Sequence, residues 1–372
     1  MYISLYRRYR PQTFSDMVGQ SAAVGVLLES LREGSLGHAY LFSGPRGCGK
    51  TSAARLVAKS LDCLNRSADC EPCGECENCR AIAAGEHLDV IEIDGASNRG
   101  IGEIRDLKSH VSLKALSASY KVYIIDEVHM LTDAAFNALL KTLEEPPAHV
   151  VFILATTEPQ RLPATILSRC QRFSFRRISQ EDIAARLQYV AYQENIDLDD
   201  GAARVIARLA DGGMRDGLSL LDQCASATTG ELTAERVYAC LGIAGERKCG
   251  EMMGYIAAHD TKNALELFNR LYTEGKDLGA MLDEMACLTR DLLVLKTAGN
   301  AGITMLSGVA SDKEALELTK VLTSAELVRM MYPVLPFFKS RAFSEEAEWR
   351  CVYYPPLPAP PYENDTFDEG AF

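Results

Sequence analysis

The stretch HAYLFSGPRGCGKTSAARLVAKSL, residues 38–61, begins with a short apolar run, Ala39 to Phe42. It continues through Gly44-Pro45-Arg46-Gly47-Cys48-Gly49-Lys50-Thr51 into an alanine- and leucine-rich helical pattern. Strand, glycine loop and helix in that order match the form G-x-x-x-x-G-K-[ST] in the context it requires. Glycines let successive backbone N–H groups turn inward around phosphate oxygens, and the start of the following helix adds positive potential. Lys50 is placed to reach β- and γ-phosphates and Thr51 to ligand Mg²⁺, so residues 44–51 read as a cradle for ATP.

Three more strand-like runs lie downstream: DVIEID (89–94), KVYIIDEVHML (121–131) and HVVFILATTEP (149–159). Between the last two, TDAAFNALLKTLEEPP reads as an amphipathic helix with Thr132 as its N-cap and Pro146-Pro147 past its end. Strands alternating with helices predict an α/β domain built on a parallel sheet with both faces covered. Ligands of such sheets sit at the carboxyl ends of the strands. The acidic pair Asp126-Glu127, which ends an apolar strand, therefore falls where the phosphates lie. Asp126 is expected to hold Mg²⁺ and Glu127 to polarise a water for attack on the γ-phosphate.

The chain has 372 residues, room for two or three domains. It is 47% apolar and 24% charged, with no apolar run long enough for a membrane span. Its start, MYISLYRRYRPQTF, lacks the apolar stretch of a secretory signal, so a cytoplasmic location and no membrane partner are expected. A net charge of −12 means that any contact with DNA has to rest on a local basic patch. After FSFRRIS (173–179) helical periodicity takes over, which predicts an ATPase domain over 1–178 and a helical unit over 179–242. A third, all-helical unit follows over 243–355, with Leu278, Met281, Leu282, Met285, Leu288, Leu292 and Leu295 as a core or subunit-contact stripe. The proline-rich, acidic tail, 356–372, is expected to be disordered.

Five of the twelve cysteines fall in CLNRSADCEPCGECENC (63–79). Cys73, Cys76 and Cys79 form C-x-x-C-x-x-C, three thiolates that can share one tetrahedral ion. Spacing leaves the fourth ligand open between Cys63, Cys70 and His87. A closed four-thiolate site is structural, so it would stabilise a small excursion from the ATPase core. The other seven cysteines are scattered and read as reduced thiols.

Together these motifs resemble the gamma/tau subunits of bacterial DNA polymerase III clamp loaders, within the AAA+ ATPases, over roughly residues 2–360. RPQTFSDMVGQ (10–20) is similar to the family's segment beside the adenine, GPRGCGKT to its Walker A and IIDEVHML to its Walker B. ATTEPQRLPATILSRCQRF contains what looks like the sensor 1 threonine, Thr157 or its neighbour Thr156, and the Ser168-Arg169-Cys170 motif. The resemblance implies that Arg169 reaches a neighbouring subunit's ATP site in trans, and that Arg215 in GGMRDGLSLLDQ is the sensor 2 contact in cis. It also implies a zinc module whose first ligand directly follows the P-loop helix, which selects Cys63 with Cys73, Cys76 and Cys79 and leaves Cys70 as a departure from the pattern.

The implied protein is a motor that loads the sliding clamp onto primed DNA. Its third unit would act as a collar, joining delta and delta-prime subunits and further copies of the chain. DNA would meet backbone-directed groups, with GASNRGIGEIR (95–105) and Lys141 as candidates. The chain stops before the C-terminal domains of the family's long form and so resembles the short form or a truncated one. Two other readings share parts of this set: a non-hydrolysing delta-prime-like scaffold, which the intact P-loop and Glu127 oppose, and another DNA-remodelling AAA+ ATPase, which would lack the cysteine module.

Overall fold

The computed structural model describes residues 2–34, 37–97, 114–116, 118–228, 230–243, 246–299 and 312–331, with single positions at 111, 301, 302, 306 and 309. The predicted tail and the larger part of GASNRGIGEIR lie outside these residues.

Among the described residues, five strands form one parallel sheet: β1 (Ala39–Ser43), β2 (Val90–Asp94), β3 (Lys121–Asp126), β4 (Val150–Thr156) and β5 (Gln171–Ser174). Their order is β2-β3-β4-β1-β5, with Ser43 beside Thr156 and Asp94 beside Asp126 in register. The three central strands are continuous apolar runs because both of their faces are covered. Tyr40, Phe42, Val122, Ile124, Val151 and Ile153 point one way into a core shared with α2 (Ser21–Glu33) and α3 (Lys50–Asp62). Leu41, Tyr123, Ile125, Phe152 and Leu154 point the other way. Edge strand β2 instead alternates Ile with acidic residues.

Short helices α1 (Leu5–Arg8) and α4 (Glu77–Ala84) precede and interrupt this pattern. Helix α5 (Asp133–Glu144) starts where the sequence predicts, with Thr132 Oγ1 accepting from the Ala135 N–H at 3.3 Å. Its Phe136, Leu139 and Leu143 share one face and are buried on the sheet, each contributing ~1.5–3 kcal/mol. A four-residue helix, α6 (Ala164–Leu167), leads into β5.

Four helices follow: α7 (Gln180–Gln193), α8 (Asp200–Leu209), α9 (Met214–Ala227) and α10 (Ala234–Cys240). They enclose a separate core that includes Ile183, Leu187, Ile206, Leu221 and Val237. Leu5 of α1 is buried in this helical core rather than against the sheet, so the N-terminus straps the second unit to the first. Helices α11 (Glu246–Ala257), α12 (Thr261–Thr273), α13 (Leu278–Ala298) and α14 (Asp312–Val321) build the third core. Met281, Leu288, Leu292 and Leu295 of the predicted stripe are buried there. Leu282 is not: it is 56% exposed, since it lies about 100° around the helix from Met281. Among the described residues no helix is long and apolar enough to cross a membrane.

Candidate functional site

The glycine loop leaves β1 at the carboxyl edge of the sheet. At Gly44 an added Cβ would lie 2.2 Å from the Phe175 carbonyl oxygen, so the chain passes too close to its neighbour for a side chain. Gly49 has a φ of 104° and caps α3, with Met17 Cε 2.8 Å from where its Cβ would stand. Lys50 is buried and its Nζ donates to the carbonyls of Gly44 and Pro45, both at 2.6 Å. Cys48 is also buried, its thiol 2.9 Å from the Pro45 carbonyl. Thr51 Oγ1 donates to Asp126 Oδ2 at 2.7 Å, bringing together a hydroxyl from α3 and a carboxylate from the end of β3. Hard oxygen donors of this kind suit Mg²⁺.

Glu127 has a φ of 46°, a left-handed conformation that is uncommon for a residue with a side chain. Its Oε2 accepts from the Thr157 hydroxyl at 3.0 Å and the Thr157 N–H at 3.3 Å. The two threonines that the sequence leaves open are thus separated by their partners. Thr157 holds Glu127, whereas Thr156 is buried with its Oγ1 3.0 Å from His129 Nδ1. His129 itself lies 3.4 Å from Glu127 and 3.3 Å from Glu158, a contact missed in the sequence reading. Its position two residues after Glu127 was the available signal.

Cys48, Gly49, Lys50, Thr51, Asp126 and Glu127 border a cavity of about 780 Å³. Arg46, Arg215, Arg10 and Arg186 all line it, a cationic wall suited to a polyphosphate. Arg10 opens the stretch 10–20 that the resemblance set beside the adenine, whereas Arg186 was not singled out from sequence because nothing local separates it from a surface arginine. Burial, then the neighbouring Arg55 charge, pulls the Arg10 guanidinium below its ordinary range. The second helical unit reaches the same place: the Arg215 N–H points at the Gly47 carbonyl from 3.5 Å, and the Arg215 guanidinium lies 4.9 Å from the Tyr6 ring centre. Arg169 does not line the cavity. It sits near the surface, paired with Glu144 at 2.7 Å and bonded to the Thr165 carbonyl.

The sulfurs of Cys63, Cys73, Cys76 and Cys79 lie within 4.8 Å of one another, and the Cys73 and Cys79 sulfurs are 4.0 Å apart. Tetrahedral Zn–S bonds place sulfurs about 3.8 Å apart, so the set fits zinc. Backbone N–H groups of Cys73, Cys76 and Cys79 donate to the sulfurs of Cys63, Cys73 and Cys76 at 3.3, 3.3 and 3.4 Å. The Cys76 and Glu75 N–H groups hold the Cys73 thiol below its ordinary range, to about 6. Cys63 caps the end of α3 and Cys76 the start of α4. Cys70 and His87 are both buried outside the cluster.

Three family profiles match consecutive stretches: DNA polymerase III, delta subunit, over residues 19–179; DNA polymerase III clamp loader subunit, ATPase lid domain, over 182–230; and DNA polymerase III subunits gamma and tau domain III, over 232–335. The chain is 42% identical over 284 residues to the DNA polymerase III subunit gamma of Buchnera aphidicola, covering 76% of this chain and 78% of that protein. The chain belongs to the DNA polymerase III gamma/tau family. It is also 46% identical over 331 residues to the DNA polymerase III subunit tau of Bacillus subtilis, and 41% over 317 residues to that of Escherichia coli. These alignments cover 89% and 85% of the chain but 58% and 48% of the tau subunits, so the chain spans about half the length of these gamma/tau relatives. The parallel α/β domain with its four-cysteine cluster is thus the AAA+ domain of a gamma/tau subunit, followed by the family's lid and helical third domain.

Proposed function

We propose that this chain is the ATP-hydrolysing motor of a DNA polymerase III clamp loader, placing a sliding clamp on primed DNA. One observation carries the reading: Thr51 and Asp126 meet at 2.7 Å at the floor of an arginine-lined cavity, with the buried Lys50 beside them. Backbone N–H groups of residues 46–51, with Lys50, Arg46 and Arg215, would bind and orient the triphosphate. Bound Mg²⁺, held through Thr51 and Asp126, would offset phosphate charge. Glu127 would take a proton from the attacking water, and Thr157 would hold its carboxylate in place. Arg169 would act on a neighbouring subunit's site. Its present pairing with Glu144 is an exposed one, worth ~0–1 kcal/mol, so it exchanges easily for a phosphate partner.

We assign ATPase, lid and collar roles to 1–178, 179–242 and 243–355, and a structural zinc to the four cysteines. The expected partners are delta-type subunits, further copies of the chain, a clamp and DNA. Lys141, exposed on α5, remains the proposed DNA contact; of the second stretch only residues 95–97 are described. ATPase rates of the chain alone, and mixed with delta and delta-prime subunits, clamp and primed DNA, test the reading. The complete mixture should be strongly stimulated, with the stimulation lost in Arg169→Ala. An unstimulated mixture, or an Arg169→Ala rate equal to that of the parent, rejects the mechanism.

A further inference from the structure

The loop between Cys63 and Cys73, both of the cysteine cluster, touches the segment that brings Gln12, Asp16, Met17 and Val18 to the cavity. Glu71 stands between two buried residues, Cys70 and Pro72, and two positions before the cluster residue Cys73. Its carboxylate accepts from two successive backbone N–H groups, Phe14 at 2.7 Å and Ser15 at 2.9 Å. Both are charge-assisted bonds.

The mount of this carboxylate is built from both sides. Cys70 adopts a φ of 62°, and its side chain is 3% exposed in the core that holds Phe14 and the apolar face of α3. Ser60 Oγ, from α3, donates to the Cys70 carbonyl at 2.6 Å. The loop closes on itself through Cys70 N–H to the Ser67 carbonyl at 3.0 Å, Ser67 N–H to the Glu71 carbonyl at 3.1 Å and Glu71 N–H to Ser67 Oγ at 3.1 Å. Five residues after Glu71 the chain is pinned again by the Cys76 N–H on the Cys73 sulfur.

The segment that Glu71 grips is a compact turn. Asp16 Oδ2 accepts from the Gln12 and Thr13 N–H groups, both at 3.1 Å, and the Met17 N–H reaches the Phe14 carbonyl at 3.1 Å. Gln12, Asp16, Met17 and Val18 line the cavity, and Met17 covers the last glycine of the phosphate loop. Lys59, also on α3, reaches Gln12 Oε1 at 2.6 Å. A wall kept in its binding shape before the ligand arrives spares the ordering cost at binding.

We propose that Glu71 is a positioning residue for nucleotide binding: it holds residues 13–18 as a preformed wall of the cavity and makes the cysteine module the mount of that wall. The inference rests on the cavity being the nucleotide site. Calorimetric binding of Mg–ADP to the full chain, together with zinc content and amide hydrogen exchange, tests it. Glu71→Ala should retain one zinc per chain, weaken Mg–ADP about 10-fold and speed exchange at residues 13–18 but not along α3. Glu71→Gln, which keeps one acceptor oxygen, should fall between this variant and the parent. Chelating zinc from the parent should speed exchange at the same residues. Unchanged affinity and exchange in Glu71→Ala, or loss of zinc from that variant, would overturn the role. A parent chain that binds no Mg–ADP would instead reject the reading of the cavity, while the exchange measurement would still report on the grip of Glu71.

Discussion

Glu127 and Lys50 are neighbours of one cavity with separable tasks. Lys50 is tied into the loop that would wrap the phosphates, whereas Glu127 is held by Thr157 on the adjoining strand end. Glu127→Gln keeps the shape and removes the carboxylate proposed as the base. It is expected to bind Mg–ATP about as tightly as the parent and to hydrolyse it roughly 10²–10⁴-fold more slowly, as separate equilibrium binding and steady-state phosphate release would measure. Thr157→Val should slow turnover in the same direction with binding retained, because it removes the hydroxyl that orients the carboxylate but leaves its N–H. The residue types at these positions were legible in the sequence, since a P-loop and an acidic pair ending a strand announce their chemistry. His129 was not, because a histidine in an apolar run reads equally well as core; only the fold sets it between Glu127, Thr156 and Glu158.

At the scale of one element, the excursion between α3 and β2 shows what spacing can and cannot settle. Three cysteines with two residues between each pair can lie on one turn, so Cys73, Cys76 and Cys79 are legible as a set. The fourth ligand depends on where the excursion returns to its own start, which is a property of tertiary packing. Cys63 caps α3 and faces the turn; Cys70 is swallowed by the core beneath Phe14. Metal analysis of purified variants should find about one zinc per chain in the parent and in Cys70→Ala. Cys63→Ser and Cys76→Ser should lose it. Cys70→Ala should lower stability by ~1 kcal/mol, the scale of a small buried side chain trimmed without a large cavity, as urea unfolding would read.

Across the whole molecule, the second and third cores are joined by a buried ion pair. Arg208 of α8 meets Glu284 of α13 at 3.1 Å, with their side chains 9% and 6% exposed, and Glu284 also accepts from the Cys249 thiol at 3.3 Å. Burial raises the Glu284 carboxyl above its ordinary range while the Arg208 charge opposes the rise. Arg208→Ala therefore leaves a carboxylate that can escape its penalty by taking a proton. With the folded value raised, the stability contributed by protonated Glu284 is full below the unfolded carboxyl range and is lost as pH climbs through the folded value. The variant is expected to lose ~3–5 kcal/mol at pH 8 and clearly less at pH 5. Urea unfolding at the two pH values, scored against the parent at each, checks both the size and the direction.

The sequence by itself determined the class of the first domain and its chemistry. A glycine loop, a lysine and threonine at the head of a helix, and an acidic pair at a strand end have few other uses. Local physics dictates each of them within a dozen residues. Tertiary structure decided which distant groups share that site: Arg10 and Arg186 come from segments whose periodicity says only helix or loop. It also buried Cys70 and carried Glu71 to the Phe14 and Ser15 amides. These outcomes depend on long-range packing and on the closure of loops tens of residues apart. No local propensity or spacing encodes them.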